Sequence, residues 1–254
     1  MINSEVSVSR DEKNKTHELL GETVNICPVT GYPFEIPRAR EKILDILQEA
    51  INNHQIVIFI DADLDNLKRL NDVLGHEGSN KGIKAVMEEK EKTLLGLDGV
   101  DTVLFYRPQA GGDEYKALLL LRSLEVDEKI IVKSLKNILK PDTNFQLEGK
   151  KTTPISCSFG ITIKKCEGRE NAGELLQEME SQAEGNLANE KLEKIAQKLN
   201  ETIKVRSGLC LQEYITSVAA EWGSRRAGEK GLETILYAVL KKAGLENIPK
   251  IPQN

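Results

Sequence analysis

The sequence predicts an α/β sandwich in which helices cover a mostly antiparallel sheet. Three observations predict it. The run Ile56-Val57-Ile58-Phe59-Ile60 is continuous, β-branched and aromatic, as a central strand is. Two further apolar runs flank the Gly111-Gly112 pair, as in a β-hairpin. A late alternating strand is followed by a long helical pattern, so strands and helices follow one another in an order that packs in layers.

Taken in order, residues 1 to about 20 are polar and without periodicity, which fits a loose arm or a late-docking helix. From Arg38 to Asn52, Ile43, Leu44, Ile46, Leu47, Ala50 and Ile51 recur at helical spacing and predict an amphipathic helix. The strand from Ile56 to Ile60 comes next and ends in acid. Helices are expected over Leu67 to Leu74 and Lys81 to Leu95, with Gly75, Gly78 and Ser79 as the turn between them. Thr102 to Tyr106 and Tyr115 to Leu121 form the hairpin. Asp127 to Leu139 reads as a helix, Ile155 to Ile163 as a strand and Glu174 to Asn200 as a long helix. After about Lys204 the pattern changes: Cys210 to Trp222 and Gly231 to Ala243 read as two more helices, with apolar stripes expected to pack on the domain. The predicted organisation is an arm over 1–22, a domain over 23–204 and a helical extension over 205–254.

Composition narrows the function classes. The chain has 254 residues, enough to bury a sizeable core, and 30% are charged against 39% hydrophobic. The net charge of -5 and the dispersed Lys and Arg argue against a nucleic-acid footprint, and 4% aromatics argue against a stacking surface for single strands. No apolar run has the length of a membrane span and the polar N-terminus has no signal-peptide core, so a cytoplasmic location is expected. Cys27, Cys157, Cys166 and Cys210 lie outside any CxxC spacing and are expected as small buried hydrophobes.

Two acidic clusters carry the chemistry. Asp61, Asp63 and Asp65 alternate, so their carboxylates share one face for as long as the strand continues. Like charges so crowded are tolerable with a cation among them, and hard carboxylate oxygens suit magnesium or manganese. The alternative is a solvated strand end, or an Asp that caps the helix near Leu67. Gly111-Gly112-Asp113-Glu114-Tyr115 adds two carboxylates at a turn whose glycines allow close backbone approach. Its alternative is a hairpin turn with solvated acids. Together the two turns offer what a metal-bound triphosphate needs from separate elements.

The segment Asp63-Leu64-Asp65-Asn66-Leu67-Lys68-Arg69-Leu70-Asn71-Asp72-Val73-Leu74-Gly75-His76, with the turn GGDEY at 111–115, resembles the GGDEF family of diguanylate cyclases. Tyr115 replaces the usual Phe. Val29-Thr30-Gly31-Tyr32, Ser156 to Ile161 and Ala183-Glu184 to Lys191 are weaker echoes, so the resemblance covers roughly residues 26 to 200. It implies a palm-type nucleotidyl-cyclase sheet and the joining of two nucleoside triphosphates, GTP first among them, into a cyclic dinucleotide. It implies Mg2+ or Mn2+ on Asp63, Asp113 and the Leu64 carbonyl, with Glu114 serving a second metal or the attacking hydroxyl. Amides around Asn66 and Leu67, with Lys68 and Lys191, would hold phosphate, and Asn71 and Asn80 would face the base. A homodimer is implied because two nucleotides must meet.

Departures from the family pattern set further expectations. Asn80 stands where the family usually has Asp, and an amide offers one acceptor group where a carboxylate offers two, which leaves guanine, adenine or a mixed product open. Ile195 replaces a phosphate-binding Arg, with Lys194 and Lys198 nearby, and the stretch Arg107-Pro108-Gln109-Ala110 is longer than usual. Thr102 and Phe105 occupy the inhibitory-site positions, so product inhibition there is not expected. Asp61, Asp72 and His76 are expected outside the site. A nucleotide-binding module without turnover and another palm-type polymerase are the competing functions.

Overall fold

The computed structural model describes residues 25–65, 67–108, 113–122, 128–149 and 151–205. The predicted arm, Asn66, Gly111, Gly112 and the helices expected beyond residue 205 therefore lie outside the described residues. Helix α1 covers Pro37–Asn52, β1 Ile56–Leu64, α2 Leu67–Leu95, β2 Val100–Tyr106 and β3 Glu114–Leu121. Then follow α3 Glu128–Leu139, β4 Thr143–Phe145, β5 Thr153–Ile155, β6 Cys157–Lys165 and α4 Ala172–Val205.

The main sheet has the order β2-β3-β1-β6 and every pairing in it is antiparallel. This is the expected α+β architecture, with β1 in the interior because both its faces are apolar. Ile56, Ile58, Ile60, Ala62 and Leu64 pack with Leu70, Leu74, Ile83, Val86 and Met87 of α2 and Leu135 and Leu139 of α3. Val57 and Phe59, on the other face, pack with Ile43 and Leu47 of α1 and Leu175, Leu176 and Met179 of α4. The strand runs on through the acids to Leu64, so Asp61 and Asp63 share the face of Val57 and Phe59.

Three boundaries differ from the sequence prediction. The segment from Leu67 to Leu95 is two helical stretches that meet at a kink at Gly75 (φ 76°, ψ 167°), as expected, but the break is Gly75 alone and the second stretch already includes Gly78 and Ser79, so the whole is labelled α2. Only glycine adopts that conformation at no steric cost. The strand expected over Ile155 to Ile163 is two strands, β5 and β6, parted at Ser156. A two-stranded sheet of β4 with β5 was not foreseen. Among the described residues no helix is long and apolar enough to cross a membrane. Cys27, Cys157 and Cys166 are buried and free, as expected.

The chain divides into two compact units, Met1–Leu187 and Ala188–Asn254. The sheet and both acidic turns belong to the first.

Candidate active site

β1 delivers its acids to a point where three strands meet. Asp63 pairs across the ladder with Glu114 of β3 and with Ser158 of β6. The Leu64 amide donates to the Asp113 carbonyl at 3.1 Å. In an antiparallel ladder the amide and carbonyl of one residue face the same neighbour, so the Leu64 carbonyl also looks toward the Asp113 side. Asp63 and Asp113 are 6% and 9% exposed. The two turns are thus brought together at the adjoining ends of β1 and β3.

Asp65 takes a different part from its neighbours. Its amide donates to the Ser156 carbonyl at 2.9 Å, and its carboxylate accepts from the Ser158 hydroxyl at 2.6 Å. The break between β5 and β6 at Ser156 is therefore also the point that fixes the end of β1. Asp61 lies one pair deeper, opposite Lys116 and Gly160. Burial pushes its carboxyl up to about 6; Lys116 opposes this, while Glu114, Glu184 and Asp63 add to it.

Helix α2 starts at Leu67, directly after β1 and its turn. Its first amides and the exposed Lys68 make the end of the strand a place where an anion is favoured. Asn71, half-buried, and Asn80, exposed, stand on the two sides of the Gly75 break, and no hydrogen bond joins either to another described candidate residue. Lys191 lies on α4 in the second compact unit, whereas the other described candidates lie in the first. Lys194 is paired with Glu190 at 3.8 Å.

The donor chemistry fits a hard divalent cation. Two buried carboxylates and a backbone carbonyl come from two strand ends, and among the described residues no group of three or more His, Cys, Asp or Glu is placed to hold a metal ion by itself. Such a set leaves coordination positions for phosphate and water oxygens, as magnesium sites for triphosphates require.

The signature hairpin is locked by its aromatic rings. Tyr115 stacks on Phe105 at 5.1 Å and meets the edge of Phe159 at 6.5 Å, so the Tyr that replaces Phe keeps a buried position. Arg107, just before the turn, is also buried; its Nη1 donates to Cys27 Sγ at 3.2 Å and its Nε to the Glu114 carbonyl at 3.5 Å. Burial raises the Cys27 thiol pKa, but hydrogen bonds from Thr30, Val29 and Arg107 outweigh it and the net shift is downward. Cys27 is therefore a polar partner as well as a buried hydrophobe.

Sequence reasoning passed over a group of charges beside these acids. Lys116 pairs with Glu35 and Glu180, each at 3.2 Å. Arg40 grips Glu180 with two bonds, at 2.7 and 3.1 Å, and also pairs with Glu35. Alternation from Glu114 puts Lys116 on the same face and was the signal available; its partners are far away in sequence.

The family model described as the GGDEF domain of diguanylate cyclases matches residues 38–193. That is more than half of the chain. The chain belongs to the GGDEF family. Among curated proteins, this GGDEF chain is similar to the diguanylate cyclase DgcP of Pseudomonas aeruginosa, 28% identical over 156 residues that make up 61% of the chain and 21% of the relative. It thus spans about a fifth of that relative's length. Among solved structures, the GGDEF domain of TpbB (YfiN) from Pseudomonas aeruginosa superposes with a TM-score of 0.51 at 18% identity, covering 66% of this chain and 88% of that one. A sensory box/GGDEF family protein from Caulobacter crescentus gives 0.46 at 21% identity, over 65% and 97%. The likeness to the TpbB domain, with its TM-score of 0.51, shows the GGDEF fold.

Proposed function

We propose that the protein is a diguanylate cyclase-like synthase that joins two nucleoside triphosphates, first of all two GTP, into a cyclic dinucleotide with release of two pyrophosphates. The observation that carries this reading is the pair of buried carboxylates, Asp63 and Asp113, on adjoining strand ends directly before a helix N-terminus. Asp63, Asp113 and the Leu64 carbonyl would hold Mg2+ or Mn2+, which when bound would neutralise charge on the phosphates and acidify the attacking hydroxyl. Lys68 and the first amides of α2, about Asn66 and Leu67, orient the triphosphate so that its α-phosphorus faces a second nucleotide. Glu114, beside Asp63 in the ladder, accepts the proton of the incoming 3′-hydroxyl. The new bond is O3′ to phosphorus; the bond broken is that to pyrophosphate. Asn71 and Asn80 read the base, and the partner nucleotide comes from a second copy of the chain, in the cytoplasm.

The test is incubation of the purified chain with Mg2+ and each triphosphate, singly and in pairs, with products resolved by mass. Cyclic di-GMP is the expected product, and its loss by at least a hundredfold in Asp113→Asn ties it to this site. A cyclic product containing adenine would reassign the base through Asn80. Tight nucleotide binding without pyrophosphate release would make the chain a binding module, and no cyclic product from any mixture overturns the synthase reading.

A further inference from the structure

Lys116 sits on β3 two residues after Glu114, so its side chain emerges on the face that carries Asp61, Asp63 and Glu114. Its Cα partner is Asp61. The ammonium lies 5.9 Å from the centre of the Phe59 ring, and the side chain is 18% exposed. Burial disfavours its charge, but Glu35 and Glu180 outweigh that and keep it above its usual pKa. The Lys116 charge is therefore held by two carboxylates, partly shielded from salt, and two residue pairs along the ladder from the Asp63–Glu114 pair.

Lys116 and Arg40 carry two positive charges against the two negative charges of Glu35 and Glu180, so the group is neutral as a whole. Neutrality matters because the rest of this face is acidic: Asp61, Asp63 and Glu114 share it, and Lys116 stands opposite Asp61 in the ladder. Loss of Lys116 would leave Glu35 and Glu180 facing Arg40 alone and add one net negative charge beside Asp63.

We propose that Lys116 is the internal counter-charge of the acidic site, setting how strongly the site draws a divalent cation before any nucleotide is bound. The inference rests on the metal reading above. A site so moderated holds a lone cation weakly and takes it up together with a triphosphate, whose oxygens complete the coordination. Lys116 acts through charge on Asp63 and Asp113, and is a positioning residue only in the sense that its partners hold it there.

A charge role and a strut role predict different signs. Mn2+ is titrated into the full chain without nucleotide, with the free-ion signal read by electron paramagnetic resonance. Lys116→Met is expected to tighten Mn2+ binding roughly three- to tenfold, the effect of one partly screened charge on a dication. Glu180→Gln removes a negative charge and weakens it. The double variant returns to within about twofold of the parent, and Lys116→Arg stays near the parent. If Lys116→Met and Glu180→Gln both weaken binding, the ion pairs are only struts, and if neither moves it, the cation does not sense Lys116; both results overturn the proposal. Should Lys116→Met fail to fold by circular dichroism, Lys116→Gln takes its place, since it removes the charge and keeps a hydrogen-bonding side chain: tighter binding supports the counter-charge, unchanged or weaker binding overturns it. No Mn2+ bound by the parent chain sinks the metal site and this inference together, whereas Mn2+ bound equally by all variants sinks this inference and leaves the site standing.

Discussion

Asp61 and Asp63 are two residues apart on one face of β1, yet only Asp63 reaches the strand end where Glu114, Ser158 and the Asp113 turn converge. Asp61 is caught inside, and burial, with Glu114, Glu184 and Asp63 nearby, raises its carboxyl to about 6 from 3.8. A carboxyl with a raised folded pKa binds its proton more tightly in the folded chain than in the unfolded one. Its contribution to stability is full below about pH 4 and is lost as pH rises through about 6. Asp61→Asn in chelator-treated protein should therefore be more stable than the parent at pH 7 to 8, by about 2 kcal/mol, and the gain should vanish toward pH 4. Denaturant midpoints across that range check it; a gain that is constant with pH would show that ionisation is not the cause. Strand alternation offered Asp61, Asp63 and Asp65 alike and the glycine turn offered Asp113 and Glu114; the family resemblance singled out Asp63 and Asp113 among them. The Lys116 pairs were not visible in the sequence, because Glu35, Arg40 and Glu180 lie 64 to 81 residues from Lys116, or are tied to it through each other.

At the scale of elements, glycines and serines that look like a turn can serve packing instead. Gly78 and Ser79 were expected to end a helix, but α2 continues through them. A Cβ on Gly78 would lie 3.0 Å from Leu147 Cδ2, and one on Gly82 would lie 2.8 Å from Ile155 Cδ1. The small residues are a groove for the β4 and β5 segment, and strands three residues long leave too little pattern to read. Where a strand opens on an unbroken apolar run, as in the first five residues of the nine-residue β1, the sequence and the structure coincide. Gly160 makes the closest approach of all: a Cβ there would fall 1.8 Å from the Ala183 carbonyl oxygen and 2.6 Å from the Leu187 amide. Both are backbone atoms and cannot rotate away, so α4 must lift off the face that carries Asp61 and Asp63. Gly160→Ala should cost about 3 kcal/mol or more, above the usual price of one extra methyl, as read from the urea midpoint. A loss under about 0.5 kcal/mol would mean that α4 docks less closely than this.

At the scale of the whole molecule, a cyclic product needs two phosphodiester bonds, and one site of this kind holds one triphosphate. The two strand ends and the single helix N-terminus supply one set of carboxylates and one anion position. Under the proposed function, two copies would then meet face to face, each presenting its nucleotide's 3′-hydroxyl to the other's α-phosphorus. Specific activity should accordingly rise with protein concentration until dimers saturate, and not be constant as for an active monomer. A mixing experiment sharpens this. With a tenfold excess of Asp113→Asn chains, nearly every parent chain is paired with a variant whose own nucleotide is not activated. Such a pair can form one bond but not the second, so cyclic product per parent chain should fall by about tenfold while a linear dinucleotide accumulates. Cyclic product that stays proportional to the parent chain alone would show that a single copy completes both bonds.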